Sequence, residues 1–397
     1  MKQGWEYKKL GEVCNTSNGL WTGKKAPFVT VPVISLKNFS KDCKLKKDEY
    51  SIVDVEIRQF ESRKLQYGDI IIEKSGGSDT QPVGRPIFFD IKEGDYSFSN
   101  FTAILRPNED YRKYLDCHFL HYTLYSYYCQ GKTFSLQSKT TGIHNLDMKG
   151  YLKLSIPIPP LTTQQSIVSE LDTLSQIIAG YKEQLADYDK LEQSIFYDMF
   201  GDPVKNEKGW EVKKLGEFCE IGTGSTPSRK IEDNYIGDIS WVKSTEVCNS
   251  YVKETQEHIS QKAYDSSNCS IYPKGSVLMA MYGQGKTRGQ VAILEIEACT
   301  NQAVAAIVPS KEIHTMFLYF QLHLMYNFIR DMANGCNQSN LNLNIVRSIN
   351  IILPPLPLQQ QFASKIESIE QMKADTKAAL QDAELLFQAR MDYWFNA

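Results

Sequence analysis

Several things are missing from this 397-residue chain, and each absence closes off a class of function. Its nine cysteines contain no CxxC pair and are odd in number. Such a set suits reduced thiols in a cytoplasm better than a disulfide framework. No apolar run approaches the roughly 20 residues needed to cross a bilayer. The opening Met1-Lys2-Gln3-Gly4-Trp5 runs straight into a repeated block, which leaves no room for a signal peptide. There is no HExxH zinc helix and no GxSxG nucleophile elbow. Nor is there the Asn/Asp-Pro-Pro-Tyr/Phe motif of amino-methyltransferases, or an acidic and lysine array of nuclease type. The chain therefore reads as non-catalytic, with no cofactor or metal of its own.

A surplus of positive charge is lacking too. The formal net charge is −3, and phosphate neutralisation supplies most non-specific affinity for DNA, so a solitary grip on a polyanion should be feeble. The distribution is uneven, however. Residues 1–160 carry 23 basic against 18 acidic side chains, residues 161–200 carry 2 against 7, residues 201–355 carry 15 against 16, and residues 356–397 carry 4 against 6. Acidity gathers on two short segments, while the first large block is basic.

What is present is a repeat. Gly4-Trp5-Glu6-Tyr7-Lys8-Lys9-Leu10-Gly11-Glu12 returns as Gly209-Trp210-Glu211-Val212-Lys213-Lys214-Leu215-Gly216-Glu217, displaced by 205 positions. Ile156-Pro157-Ile158-Pro159-Pro160-Leu161-Thr162-Thr163-Gln164-Gln165 returns as Ile351-Ile352-Leu353-Pro354-Pro355-Leu356-Pro357-Leu358-Gln359-Gln360, displaced by 195. A period of about 200 residues is too long for a solenoid and implies a duplicated module. The boundaries are 1–160 for the first module and 203–355 for the second, each followed by a helical segment at 161–202 and 356–397.

Residues 163–200 are predicted as one long helix. Ile167, Leu171, Leu174, Ile178, Tyr181, Leu185, Tyr188 and Leu191 alternate spacings of four and three, the seam of a coiled coil. Thr162 and Gln165 have the form of a capping box, and Gly201 with Pro203 supplies a stop. Residues 358–395 repeat the pattern with Phe362, Ile366, Ile369, Leu380, Ala383 and Leu386, but Lys373 and Thr376 stand where the first copy has Ile178 and Tyr181. Short connections predict an antiparallel pair with one module at each end. Aromatic residues near the helix ends (Phe196, Phe200, Trp394, Phe395) and the acidity of the first helix suggest a docking surface for another protein. A purely internal spacer is the alternative.

Each module is predicted as α+β with a curved sheet. Asp69–Glu73 and Ser276–Met281 are strand-like runs, each leading through a glycine turn (Ser75-Gly76-Gly77-Ser78; Tyr282-Gly283-Gln284-Gly285) to a return strand near Pro86–Phe89 or Gln290–Leu294. Helical stretches follow at Tyr111–Gln130 and Met316–Ala333. Gly283-Gln284-Gly285-Lys286-Thr287 invites a P-loop reading, but position 280 is alanine and a strand, not a helix, is expected next. A hairpin showing Gln284, Lys286 and Arg288 to a polyanion fits better. Gly222-Thr223-Gly224-Ser225 reads as a turn. His118 and His121 sit on adjacent helix turns without the further ligands a metal site needs.

Polar loops carry the DNA-contact candidates. Lys132-Thr133-Phe134-Ser135-Leu136-Gln137-Ser138-Lys139-Thr140-Thr141-Gly142 is rich in donors and free of acid, and Asn334-Gly335-Cys336-Asn337-Gln338-Ser339-Asn340 is rich in amides. Asn and Gln read adenine edges, while Lys and Arg read guanine or grip phosphate. Lys132, Lys139, Asn337 and Gln338 are the candidates there; a solvated loop is the plain alternative. Lys24, Lys25, Lys74, Ser75 and Arg85 join them in the first module, with Ser225, Arg229, Lys243 and Tyr282 in the second.

With these blocks in view, the chain resembles the specificity subunit of a type I restriction-modification system over essentially its whole length. The residues that carry the likeness are Gly209-Trp210-Glu211, Ile239-Ser240-Trp241-Val242-Lys243, Val277-Leu278-Met279-Ala280-Met281-Tyr282-Gly283, Cys299-Thr300-Asn301-Gln302-Ala303, Asn340-Leu341 and Pro354-Pro355-Leu356. The first copy follows more loosely, with Ser75-Gly76, Asn100 and Asn145-Leu146. The resemblance implies two target-recognition domains reading a bipartite site in double-stranded DNA. It implies long helices that set the unread spacer and hold two modification subunits, to which motor and nuclease subunits are added for restriction. S-adenosylmethionine, ATP and magnesium would then sit on those partners. A coiled-coil scaffold and a self-contained DNA methyltransferase are the rival readings.

Overall fold

The computed structural model describes residues 4–20, 25–140, 142–283, 285–334 and 340–396. The chain divides into two compact units. Unit 1 is Met1–Tyr181 together with Ala379–Ala397, and unit 2 is Lys182–Ala378. Each long helix is thus shared between them, a division that the four consecutive segments read from the sequence do not contain.

In unit 1 a four-stranded antiparallel sheet runs in the order Cys14–Asn18, Thr102–Pro107, Ile70–Glu73, Pro86–Phe88. Its central strand is buried along its length because both faces are covered. Ile70 and Ile72 join one core, with Leu105, Phe119 and Leu120. Ile71 joins another, with Ile34, Ile87, Phe98 and Ile104. Unit 2 repeats the plan in the order Glu220–Thr223, Val304–Val308, Val277–Ala280, Val291–Leu294, Ser250–Val252. There Val277 and Met279 face one core and Leu278 and Ala280 the other.

The two repeated signatures turn out to be strand partners. Glu6–Lys9 pairs antiparallel with Ser155–Ile158, and Val212–Lys214 with Asn350–Ile352. The first glutamine of each Gln-Gln pair explains the second signature. Gln164 is wholly buried; its Nε2 donates to Pro159 O and Tyr114 O, both at 2.8 Å, and its Oε1 accepts from Asp116 N at 2.8 Å. Gln359, equally buried, donates to Pro354 O (2.7 Å) and Glu312 O (3.3 Å) and accepts from His314 N (2.8 Å). In each unit one carboxamide therefore ties the start of a long helix to the turn entering a shorter one, Cys117–Cys129 or Thr315–Leu324. The expected capping box is displaced, because the helix already begins at Leu161 and Thr162 lies inside it.

The long helices are Leu161–Phe200 and Leu356–Phe395, each of 40 residues. Gly201 closes the first in the left-handed region (φ 78°), its N–H bonded to Tyr197 O at 2.8 Å. Within unit 2 the segments run antiparallel, since Phe200 meets Phe362 while Glu192 meets Lys373. Within unit 1 the start of the first helix meets the end of the second, where Glu170 binds Arg390 and Trp394. Two seam positions differ from the periodic reading. Leu191 is 44% exposed and Leu386 50% exposed, while Glu192 and Phe387 take the inward places. The strict four-three alternation drifts near the helix ends, as an uncoiled 3.6-residue helix does against a 3.5 repeat.

Two further local readings change. Lys132–Gly142 is not an open loop: Gln137–Thr140 pairs with Ile143–Leu146, which in turn pairs with Ser75–Gly76, so that the glycine turn is a short strand. The helical stretch at Met316–Ala333 is two helices, Thr315–Leu324 and Tyr326–Asn334. Gly224 is required by close approach, since a Cβ there would overlap Thr300 O; Gly19 faces Ser99 O in the same way in unit 1.

Candidate nucleic-acid interface

In unit 1 the three-stranded patch Ser75–Gly76, Gln137–Thr140 and Ile143–Leu146 carries Ser75 and Lys139, with Lys74 directly before its first strand. Lys139 Nζ lies 3.0 Å from Asp79 Oδ1, and His144 Nε2 approaches the same oxygen at 3.1 Å. The hydrogen bond from Lys139, then its charge, holds the Asp79 carboxyl below its ordinary range. Ser75 Oγ donates to Asn145 Oδ1 at 2.6 Å. Lys74 Nζ donates to Asn18 Oδ1 at 3.0 Å, and partial burial lowers its pKa. Lys132 lies 3.6 Å above the Tyr127 ring, its pKa likewise lowered by burial. Lys25 is exposed, its backbone N–H donating to Glu56 at 2.6 Å. Lys24 lies outside the described residues.

Arg85 does not belong with this group. It is 6% exposed and its Nε binds Glu73 Oε2 at 2.6 Å, with Glu73 itself 1% exposed. Desolvation works against the guanidinium, but the Glu73 bond and charge outweigh it and its pKa rises. A buried pair of this kind is a structural tie, and removing one partner strands the other charge.

In unit 2 Arg229, Lys243 and Glu257 form a bridged cluster. Arg229 Nη1 lies 2.6 Å from Glu257 Oε2, and Lys243 Nζ lies 2.9 Å from Glu257 Oε1. These two bonds, Lys243's first, depress the Glu257 pKa. The Arg229 guanidinium stands 4.0 Å over the Tyr235 ring and 5.2 Å from that of Trp241. Ser225 sits beneath, its carbonyl accepting from Trp241 Nε1 at 3.0 Å. Each candidate cation in this cluster already has a carboxylate, so contact with phosphate requires an exchange of partners rather than a new charge.

The glycine-rich hairpin leads into the strand Val291–Leu294 rather than into a helix, so the P-loop arrangement of loop and following helix is absent. Tyr282 and Lys286 are exposed. Two residues missed from sequence brace the hairpin from behind: Tyr326 OH donates to Lys286 O at 2.7 Å, and Arg330 Nη1 donates to Arg288 O at 2.9 Å. Their four-residue spacing on one helix is the only signal for them in the sequence. Gln284, Asn337 and Gln338 lie outside the described residues.

The proposed docking aromatics are not a surface. Phe196 and Phe200 are wholly buried and pack with Phe317 and Phe362 in the core of unit 2. Phe395 is 6% exposed against Phe119, and Trp394 stacks on Trp5 at 6.4 Å in unit 1. Helix ends rich in aromatics are filled by the tryptophan of each repeat. In unit 2 Trp210 Nε1 donates to Phe200 O at 2.8 Å. The two imidazoles do not converge either. His118 approaches Asp172 at 3.5 Å and His121 approaches Pro86 O at 3.3 Å, with burial pushing the His121 pKa down to about 4. Among the described residues no three His, Cys, Asp or Glu side chains are placed to hold a metal, and no helix is long and apolar enough to cross a membrane.

Comparison with known proteins meets this geometry. The family model described as "Type I restriction modification DNA specificity domain" matches residues 2–187 and again 207–383. The type I restriction enzyme MjaIX specificity subunit of Methanocaldococcus jannaschii is 27% identical over 196 residues, covering 48% of this chain and 45% of its own. The putative MjaX specificity subunit of the same organism is 21% identical over 393 residues, covering 93% and 88%. The EcoKI specificity subunit of Escherichia coli is 34% identical over 181 residues, covering 44% and 37%. The chain thus spans under half the length of some of these relatives and most of others. Among solved structures, an S subunit of a type I restriction-modification system from M. genitalium superposes with a TM-score of 0.57 at 14% identity, covering 98% of this chain and 95% of that one. A second structure, described as bearing on complex assembly and conformational transition of the type I R-M system, gives a TM-score of 0.60 at 19% identity, covering 99% and 98%. These likenesses confirm the fold, and the doubled match of the family model settles the affiliation: the chain belongs to the type I restriction-modification DNA specificity family.

Proposed function

We propose that this chain is the DNA-reading subunit of a type I restriction-modification complex, reading a bipartite site with one unit per half. The observation that carries the reading is that one doubly covered sheet, one glutamine tie and one tryptophan contact occur twice, while the polar groups mounted on them differ. Unit 1 offers Lys132 and the Lys139–Asp79–His144 patch; unit 2 offers Arg229, Lys243 and the hairpin with Tyr282, Lys286 and Arg288. A common frame with different readers suits two unlike half-sites. The chain supplies sequence choice, and its cytoplasmic partners supply the chemistry: two modification subunits that methylate adenine with S-adenosylmethionine, and motor and nuclease subunits using ATP and magnesium.

Co-expression with the cognate modification subunit, followed by genome-wide mapping of methylated adenine, tests this directly. A two-part motif is expected, and replacing residues 205–350 by another such domain should change one half of it. A single uninterrupted motif, or changes in both halves, refutes the reading.

Single substitutions separate the cations. Lys286→Ala should lower the slope of log affinity against log salt for the complex by about 0.9, the value of one phosphate contact. Lys243→Ala should lower it less, since Glu257 already neutralises that ammonium. Titration of DNA binding at several salt concentrations measures both.

A further inference from the structure

The seam of the second long helix carries charge where its first copy is apolar. Lys373 is 7% exposed, and the residue 195 positions earlier is Ile178. Glu192, 5% exposed, faces it; the residue 195 positions later is Phe387, packed against the core of unit 1. Buried ion pairs seldom stabilise a fold more than well-packed apolar side chains would. An exchange made in only one of two copies therefore calls for a use.

In unit 2 these side chains line a cavity of about 400 Å³, together with Asp189, Glu370, Tyr251, Tyr319 and His323. Lys373 Nζ lies 2.6 Å from Glu192 Oε2, 2.8 Å from Asp189 Oδ1 and 3.3 Å from Glu370 Oε1. One ammonium thus meets three carboxylates, and with Lys377 as the second cation of the lining, ionisation of all three leaves one negative charge uncompensated. Glu192 Oε1 is buried with no hydrogen-bond partner, as is His323 Nδ1. Both atoms can accept a hydrogen bond. Tyr251 and Tyr319 stack with ring centroids 6.5 Å apart and give the cavity an aromatic wall of the kind that attracts cations.

The ligand class follows from what this lining refuses. Three carboxylates repel an anion. A bare metal ion finds no suitable cluster among the described residues, and the space is far larger than one ion needs. We propose that the cavity binds a small aliphatic diamine or polyamine, with an ammonium on Glu192 and Glu370 and the alkyl chain along Tyr251 and Tyr319. The site is independent of the DNA-reading assignment.

Proton linkage gives a second handle. Burial, reinforced by Glu370 and opposed by Lys373, holds the Glu192 carboxyl up at about 7. Burial works against the Lys373 ammonium, but the bonds from Asp189 and Glu192 prevail, so it stays charged. Burial lowers the pKa of His323, favouring its neutral imidazole, and raises those of Tyr251 and Tyr319, which stay neutral between pH 6 and 8. Asp189 and Glu370 complete the acidic lining, with Lys377 at the rim. An entering ammonium must displace the Glu192 proton, and binding should tighten as pH rises from 6 to 8.

The test is isothermal titration of the full chain with spermidine and with 1,5-diaminopentane at fixed ionic strength. One saturable site per chain is expected, tighter at pH 8 than at pH 6, and weakened at least about tenfold by Glu192→Gln. Gln193→Lys places a like charge on an exposed helix position lining the cavity, leaves the fold alone, and should weaken binding at least about threefold. Heats no greater than those of potassium chloride at matched ionic strength overturn the proposal. So does binding unchanged in Gln193→Lys, which decides the matter even where Glu192→Gln fails to fold.

Discussion

Replacing Phe200 with alanine is expected to lower the stability of unit 2 by about 3–5 kcal/mol, the range for emptying a packed aromatic site. Phe200 is wholly buried, with the rings of Phe317, Phe196 and Phe362 at 4.7, 5.1 and 5.5 Å. Little around it can collapse into the space, because Phe362 meets Phe196 and Phe317 edge to face while Phe196 and Phe317 stack on each other. A docking role would instead leave a normally folded chain that fails to assemble. Tyr197, one turn away and 43% exposed, supplies the contrast: Tyr197→Ala should shift stability by no more than about 0.5 kcal/mol. Urea unfolding followed by tryptophan fluorescence separates the two, since Trp210 touches Phe200 directly. Equal midpoints for both variants would contradict the packing account.

Gln359→Leu should cost about 3 kcal/mol, because it strands three backbone groups that this wholly buried carboxamide satisfies. The lost partners are His314 N–H and the carbonyls of Pro354 and Glu312. Leucine has similar volume, so the loss measures polar satisfaction rather than a cavity. The neighbouring Gln360 is exposed, and Gln360→Leu should be nearly neutral. Gln164→Leu and Gln165→Leu repeat the comparison in unit 1, where Gln164 holds Asp116, Tyr114 and Pro159. A midpoint insensitive to both buried glutamines would show that the ties are incidental.

The central strands and both long helices were legible from periodicity, because local pattern reports which face of an element is covered. Asp69–Glu73 and Ser276–Met281 read as strand-like runs, and their strands lie between two cores. The candidate site was legible only in part. Arg85 and Lys139 look alike in sequence, yet one is sealed against Glu73 and the other is exposed beside Asp79. Residue type states what a side chain can bind; the partners that the fold sets beside it, Glu73 for Arg85 and Asp79 for Lys139, lie outside its local pattern.

By itself, then, the sequence determined that there are two copies of one module, each ending in a long amphipathic helix. Those features are written in local spacing and in self-similarity, which need no third dimension. Only the tertiary structure decided that the repeated blocks are each other's strand partners, that Phe196, Phe200 and Phe395 fill cores rather than face a partner, and that Glu192 and Lys373 are drawn inside. Burial is settled by everything that packs against a residue, and that sum is non-local.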